Sequence, residues 1–270
     1  MPLLISGGDS FTWGSELESG PNGYSHQTWS YLLANKLDYE YSCVAKPGGS
    51  NSAICRKIVS EVVKQSFNHK KIVVAIMWTF THRDEIRLRD GITQHSTNPE
   101  HELDNNWTNF TPWHGVSREE KIVHMNIQDG DTGKIDFFNR QHNWLETSGV
   151  HSAAEKFYSV TGDHIYSLYK TLKEIIVLQS FLESKGIKYF FCSASDEVFK
   201  TNRKDELQNK EISQLGLYGA INWNNWYKDK SFHTWAVDNN YEMAGTHPGS
   251  LAHQDWLQLI MPKVGECWKI

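Results

Sequence analysis

The run KIVVAIM, residues 71–77, limits the fold of this chain more than any other feature of the sequence. It is continuous, apolar and rich in β-branched residues, and it lacks the polar alternation of a strand with one face in water. A strand covered on both faces is typical of a parallel sheet between two layers of helices. We therefore expect this run to lie at the centre of such a sheet.

Similar apolar runs and amphipathic segments alternate along the rest of the chain. The sequence predicts strands at residues 2–6, 39–45, 71–77 and 187–193. Apolar residues at helical spacing predict helices at residues 27–37, 54–63, 165–182 and 254–261. Strands that alternate with helices predict an α/β fold with a parallel sheet, helices on both faces and right-handed crossovers.

Composition excludes several classes of protein. Of the 270 residues, 39% are hydrophobic and 22% are charged, which is typical of a folded globular chain. The net charge of -5 offers no general basic field, so we expect no nucleic-acid partner. No segment approaches the roughly 18 apolar residues of a membrane span, and the N-terminal apolar run is too short for a signal peptide. These features predict no membrane partner and a cytoplasmic location.

Residues 87–152 interrupt the alternation of strands and helices. They are polar, rich in Asn, His, Trp and Gly, and show no sustained periodicity. We interpret them as a long insertion in a single domain that spans residues 1–270. Because the insertion follows the strand at 71–77, we expect it to lie over or beside a site at that strand's carboxyl end.

Polar residues follow the first three predicted strands. They are Asp9 and Ser10, then Gly49 and Asn51, then Thr79 and Arg83. Ligands of open α/β sheets bind beyond the carboxyl ends of the strands, so these residues are candidates for a site. A serine hydroxyl becomes a nucleophile beside a base, and His247 lies just before the last predicted helix. The alternatives are that Asp9 or Ser10 only caps a helix and that Arg83 only pairs with an acid such as Glu85.

Three segments together resemble a known superfamily. They are GGDSFTWG (7–14), PGGSN (47–51) and THPGSLAH (246–253). In this order they resemble blocks one, two and five of the SGNH (GDSL-type) hydrolases. The resemblance implies a flavodoxin-like three-layer α/β/α sandwich and serine ester hydrolysis without a cofactor. It further implies that Ser10 is the nucleophile, that His247 is the base, and that the N–H groups of Ser10 and Gly49 form an oxyanion hole.

The sequence departs from this pattern in the oxyanion hole. The superfamily carries an Asn shortly after the third strand, whereas this chain has MWTFTHRDE there, with Phe80 near the expected position. Thr79, Thr81 or Arg83 is a candidate replacement, and Asn51 from block two is another.

A second departure concerns the acid of the triad. The superfamily places an acid three residues before the catalytic histidine, and that position holds Ala244. Asp238 and Glu242 are the nearest upstream acids, and we prefer Glu242 because it is closer to His247. A backbone carbonyl is the remaining alternative.

The sequence also indicates a class of substrate. Tryptophans in residues 222–235 present faces that can stack on sugars, although they can equally fill the core. We therefore expect a small acyl ester or an acylated glycan, with O-acetyl groups preferred. The WT, R and E residues after the third strand, with GGSN and the final His-Pro-x-x-x-x-His, resemble an SGNH-like branch of phages and bacteria. The competing hypothesis is a degenerate module that binds a glycan or a protein, for example as a component of a virion.

His253 invites a metal hypothesis because it follows His247 by six residues. No carboxylate or cysteine at a suitable spacing completes a metal site. We therefore expect His253 to pack or cap at the start of the last helix, and we expect no metal.

Overall fold

The computed structural model describes residues 1–89, 106–117, 120–121, 139, 142–161, 164–198 and 216–269. The chain divides into two compact units, residues 1–81 with 168–270 and residues 82–167. The strands are β1 (Leu3–Gly7), β2 (Glu40–Cys43), β3 (Ile72–Trp78), β4 (Asp84–Arg87), β5 (Trp107–Phe110), β6 (Lys188–Ser193), β7 (Met243–Ala244) and β8 (His247–Pro248). The helices are α1 (Ser10–Trp13), α2 (Trp29–Lys36), α3 (Asn51–Gln65), α4 (Val150–Thr161), α5 (His164–Ser184), α6 (Phe232–Asp238) and α7 (Ser250–Trp268).

A four-stranded parallel sheet forms the centre of the first unit. Its strand order is β2-β1-β3-β6. Leu3 of β1 pairs with Glu40 of β2 on one side and with Ile72 of β3 on the other. The four strands expected from the sequence are therefore confirmed, with ends that differ by at most two residues. The last helix is longer than expected, since it begins at Ser250 and ends at Trp268.

Helices cover both faces of this sheet. Ile5 and Val74 belong to one buried cluster, which contains residues of α3 and α5. Leu4 and Val73 belong to a second cluster, with residues of α2, α6 and α7. Successive residues of a strand point to opposite faces, so a strand with a core on each side is apolar throughout. This explains the continuous apolar run at residues 71–77.

The order of the strands creates a point where the direction of winding reverses. From β1 the chain crosses to β2 on one side, and β3 then lies on the other side of β1. In open α/β sheets, ligands bind beyond the carboxyl ends of the strands at such a switch point. The residues that follow β1 and β3 therefore lie at the most suitable edge for a site.

The second unit contains an antiparallel pair of strands. Asp84 of β4 pairs with Phe110 of β5, and Tyr158 of α4 donates hydrogen bonds to the Asp84 carboxylate and the Phe110 carbonyl. This unit spans residues 82–167, whereas the sequence predicts an insertion at about 87–152. Most of that insertion lies outside the described residues. Its place relative to the site, and the single domain over residues 1–270, stay predictions.

The tryptophan-rich segment packs in the first unit. Trp226 is 1% exposed and belongs to a buried cluster against which Trp223 is partly buried. Trp235 packs partly against the other cluster. Trp226 therefore fills the core, as the alternative states, whereas Trp223 and Trp235 are only partly buried, and sugar stacking on these two rings stays a prediction. In the part of the chain that the structure describes, no helix has the length and apolarity that a membrane span requires.

Candidate active site

The turn after β1 holds Ser10 in a fixed position. Asp9 caps α1, and its Oδ1 accepts a hydrogen bond from the Phe11 N–H at 3.1 Å. A Cβ on Gly8 would lie 2.2 Å from the Thr12 hydroxyl oxygen, so no larger residue fits there without a shift. The strand can therefore pass directly into the helix, with Ser10 at its first position.

Buried polar contacts join this turn to the end of β3. The Thr79 hydroxyl donates to Asp9 Oδ2 at 2.5 Å, and the Thr79 N–H donates to Asn51 Oδ1 at 2.9 Å. Asn51 Nδ2 donates to the Thr79 carbonyl and to Thr171 Oγ1 of α5. Asp9, Thr79 and Asn51 are all at most 2% exposed. The network fixes the strand ends at the switch point.

His247 lies beside Ser10. It belongs to β8, which pairs with β7 in a short hairpin, and its Nε2 lies 2.8 Å from Ser10 Oγ. The Phe11 ring packs against the imidazole with centroids 4.8 Å apart. The structure thus brings together the two residues that the sequence proposes as nucleophile and base.

Glu16 contacts the other side of the imidazole. Glu16 Oε2 lies 2.9 Å from His247 Nδ1. A proton on Nδ1 donates to this carboxylate, which leaves Nε2 free to accept from the Ser10 hydroxyl. Partial burial raises the pKa of the Glu16 carboxyl, but hydrogen bonds from His247 and Thr246 and the charge of His247 outweigh it and lower that pKa.

The prediction that Glu242 or Asp238 contacts His247 is therefore wrong. Asp238 Oδ2 instead forms an ion pair with Lys230 Nζ at 2.8 Å. The Glu242 residue is exposed, and its backbone carbonyl accepts the Gly249 N–H at the base of the hairpin. Glu16 lies 231 residues before His247, far from the acids that immediately precede the histidine. A signal for Glu16 was present in Gly14, since a glycine shortly after a helix start can end the helix and turn the chain back.

The predicted oxyanion hole is largely not assembled. The Gly49 N–H donates to the Lys46 carbonyl at 2.8 Å within a turn. The side-chain amide of Asn51 and the backbone N–H of Thr79 both donate within the buried network described above. Arg83 belongs to the second unit. Among the described residues, the Ser10 N–H has no acceptor, and it is the one predicted donor of the first unit that remains available.

Thr81 is also committed elsewhere. Its N–H and its hydroxyl both donate to Glu197 Oε2 at 2.8 Å. These bonds hold the segment after β3 to the segment after β6. Thr81 therefore connects the ends of β3 and β6 through its hydrogen bonds to Glu197.

Comparisons with known proteins add little to this geometry. A scan against models of protein families and a search of curated proteins both find no match to this chain. Among solved structures, the chain is similar to phospholipase A1 from Streptomyces albidoflavus NA297, with a TM-score of 0.40 and 10% sequence identity. That alignment covers 97% of this chain and 99% of the phospholipase. Because the similarity is this low, the functional argument rests on the site itself.

His253 is a core residue. It is 1% exposed, and its Nδ1 accepts the Trp29 N–H at 3.2 Å. Burial, with a smaller effect of the His247 charge, lowers the pKa of His253 to about 3. Within the described ranges, no group of three or more His, Cys, Asp or Glu residues is arranged to hold a metal ion.

The lowered pKa of the buried His253 should make the stability of the protein depend on pH. The unfolded chain binds a proton here below pH 6.5, whereas the folded chain does so only near pH 3, so stability decreases as the pH falls through this window. We expect His253→Gln to remove this slope, because Gln can accept from Trp29 without titrating. The unfolding free energies of wild type and variant should converge by roughly 2 kcal/mol between pH 6.5 and 5 in urea titrations. Parallel curves would contradict the assignment.

Replacing Asn51 should lower the stability of the protein rather than impair catalysis alone. Asn51→Ala leaves the buried Thr79 N–H without its acceptor, and we expect the unfolding free energy to fall by roughly 2 to 4 kcal/mol in urea. Asn35→Ala, on the exposed side of α2, is the matched control and should change little. An Asn51→Ala protein of wild-type stability that loses only turnover would instead indicate an oxyanion donor.

Proposed function

We propose that this chain is a serine hydrolase of acyl esters, with Ser10 as the nucleophile and His247 as the general base. The observation that carries the proposal is the 2.8 Å contact between Ser10 Oγ and His247 Nε2 at the switch point of the sheet. A nucleophile within hydrogen-bond reach of a base that a third group orients is the arrangement that acyl transfer requires. The Glu16 contact on Nδ1 provides that third group.

In the first half of the reaction, Ser10 Oγ attacks the acyl carbon while His247 Nε2 takes the hydroxyl proton. The carbonyl π bond breaks, and the electron pair moves to the oxygen of a tetrahedral intermediate. The Ser10 N–H is the donor available to this oxyanion. The intermediate then expels the alcohol, which receives the proton from His247 and leaves an acyl group on Ser10.

In the second half, water replaces the alcohol. His247 removes a proton from the water as its oxygen attacks the acyl carbon, and a second tetrahedral intermediate forms. This intermediate expels Ser10 Oγ, which regains a proton from His247. The products are a carboxylic acid and the free enzyme, and no cofactor takes part in the scheme.

The fold and the motifs support an SGNH-like assignment within this proposal. The order β2-β1-β3-β6 matches the start of the flavodoxin-like order, in which the first strand lies between the second and third. Ser10 and His247 come from the segments that resemble blocks one and five. Short acyl esters, including O-acetyl groups of glycans, are the substrates we propose. The glycan part rests on the resemblance and on the partly exposed rings of Trp223 and Trp235, because Trp226 is buried in the core.

A fluorophosphonate probe tests the nucleophile directly. We expect it to label wild-type protein at Ser10, and we expect p-nitrophenyl acetate to be hydrolysed. Ser10→Ala should abolish labelling, His247→Ala should slow it strongly, and both variants should lower kcat by at least about 1,000-fold. Peptide mapping by mass spectrometry locates the label.

Ser184→Ala is the matched control, because Ser184 is exposed at the end of α5. It should label and turn over like the wild type. If the folded wild type neither labels nor hydrolyses any of a series of short acyl esters, the esterase proposal is wrong. The binding-module hypothesis would then account for the site.

A further inference from the structure

The tip of the β7–β8 hairpin surrounds one carboxylate with hydrogen-bond donors. Glu16 Oε2 accepts from the Thr246 N–H at 2.6 Å and from the His247 N–H at 3.0 Å, besides its contact with His247 Nδ1. Glu16 Oε1 accepts from the Thr246 hydroxyl at 3.0 Å. Four donors on two adjacent residues therefore converge on Glu16. This is more than is needed to orient an imidazole.

The hairpin is shaped to receive that carboxylate. Gly245 and Thr246 form its two-residue loop, and Gly245 has a φ of 78°. A glycine of positive φ at the first loop position suits a tight type II′ hairpin turn. A Cβ at this position would lie 2.7 Å from Glu16 Oε2. The glycine thus allows the turn and also leaves space for the carboxylate.

The backbone of Glu16 is itself unusual. Its φ is 69°, in the left-handed region that residues other than glycine rarely adopt. Such a conformation persists where the surrounding structure imposes it, and it clusters at functional sites. Gly14, two residues earlier, also has a positive φ, of 83°. Two left-handed residues therefore turn the chain back after α1.

The loop that follows is fixed to α1. The Ser25 N–H donates to the Trp13 carbonyl at 2.9 Å, and the Trp13 ring packs edge-on against Tyr24. A Cβ on Gly14 would lie 2.6 Å from side-chain atoms of Ser25 and Thr28, so the chain passes closely over itself there. The chain on both sides of Glu16 is therefore held to α1 by contacts that do not involve the hairpin.

We propose that Glu16 is the positioning residue of this site, and that its ionised carboxylate both attaches the hairpin and holds His247 as the Nδ1–H tautomer. This inference rests on the proposed hydrolase function for its kinetic consequence. When the Ser10 proton moves to Nε2, the imidazolium forms beside a carboxylate that remains ionised. Residues 10–16 and the hairpin at residues 243–248 then contain the entire hydrogen-bonded relay.

Glu16→Gln separates the two roles. A glutamine keeps the length of the side chain and one carbonyl oxygen, which can still accept from the Thr246 and His247 N–H groups, but it removes the charge. We expect kcat for p-nitrophenyl acetate to fall by about 100- to 10,000-fold while KM changes less than about threefold. Glu18→Gln, at an exposed residue two positions along the same loop, should retain wild-type kinetics.

Glu16→Ala removes the attachment as well as the charge. It should therefore raise KM and lower the unfolding temperature more than Glu16→Gln does. If the wild type is active and either Glu16→Gln or Glu16→Ala keeps at least half of its kcat, the proposal is overturned.

Nitrogen NMR of histidine-labelled protein supplies a readout that does not depend on turnover. In the wild type and in Glu18→Gln we expect His247, assigned by its loss in His247→Ala, to be the Nδ1–H tautomer at neutral pH. In Glu16→Ala, which removes both carboxylate oxygens, the signal should shift towards the other tautomer, and in Glu16→Gln, whose amide oxygen can still accept from Nδ1–H, it should shift less. If the wild type has the Nε2–H tautomer, the inference about Glu16 is wrong even where activity is found. If the wild type shows the Nδ1–H tautomer but no labelling and no hydrolysis, the proposed function fails and the positioning role stands.

Discussion

The buried carboxylate of Asp9 connects the two strand ends on which the site is built. It caps α1 through Phe11 and accepts a hydrogen bond from Thr79 at the end of β3. Asn51 extends the connection from Thr79 to α5. Because these groups are buried, the loss of one partner leaves another polar atom unsatisfied, at a cost of about 1 to 3 kcal/mol. The position of Ser10 thus depends on polar contacts in the interior as well as on the apolar sheet.

The second half of the site reaches Ser10 from the far end of the chain. His247 is 237 residues from Ser10, and it lies on a strand of only two residues. Such a short hairpin has few hydrogen bonds of its own with which to hold an imidazole at a fixed distance. The four donors that it directs at Glu16 supply the missing attachment. The distance between His247 Nε2 and Ser10 Oγ therefore depends on Glu16, a residue of the N-terminal segment.

The sequence predicted the sheet well because three of its four strands are short apolar runs buried on both faces, and such runs have few other interpretations. The edge strand β2 is only partly buried, and its sequence signal was a set of β-forming residues before the Pro47-Gly48 breaker. It predicted less about donors and acids, because these depend on turn geometry. The Pro47-Gly48 pair favours a turn whose closing N–H is that of Gly49, and this is the N–H that the resemblance assigned to an oxyanion. The place of Glu16 depends on the left-handed conformations of Gly14 and Glu16, which nearness to His247 along the chain does not reveal.

The structure explains why residue 244 is an alanine and not an acid. The resemblance places an acid at this position, and here Ala244 is the direct cross-strand partner of His247. Side chains of such a pair lie about 5 Å apart, so a carboxylate at residue 244 would enter the neighbourhood that Glu16 already occupies. Two carboxylates at one imidazole would repel each other and raise the pKa of one of them. A small side chain at 244 and a carboxylate at 16 are therefore two parts of one arrangement, in which the geometry of a triad is kept while the acid comes from a different part of the chain.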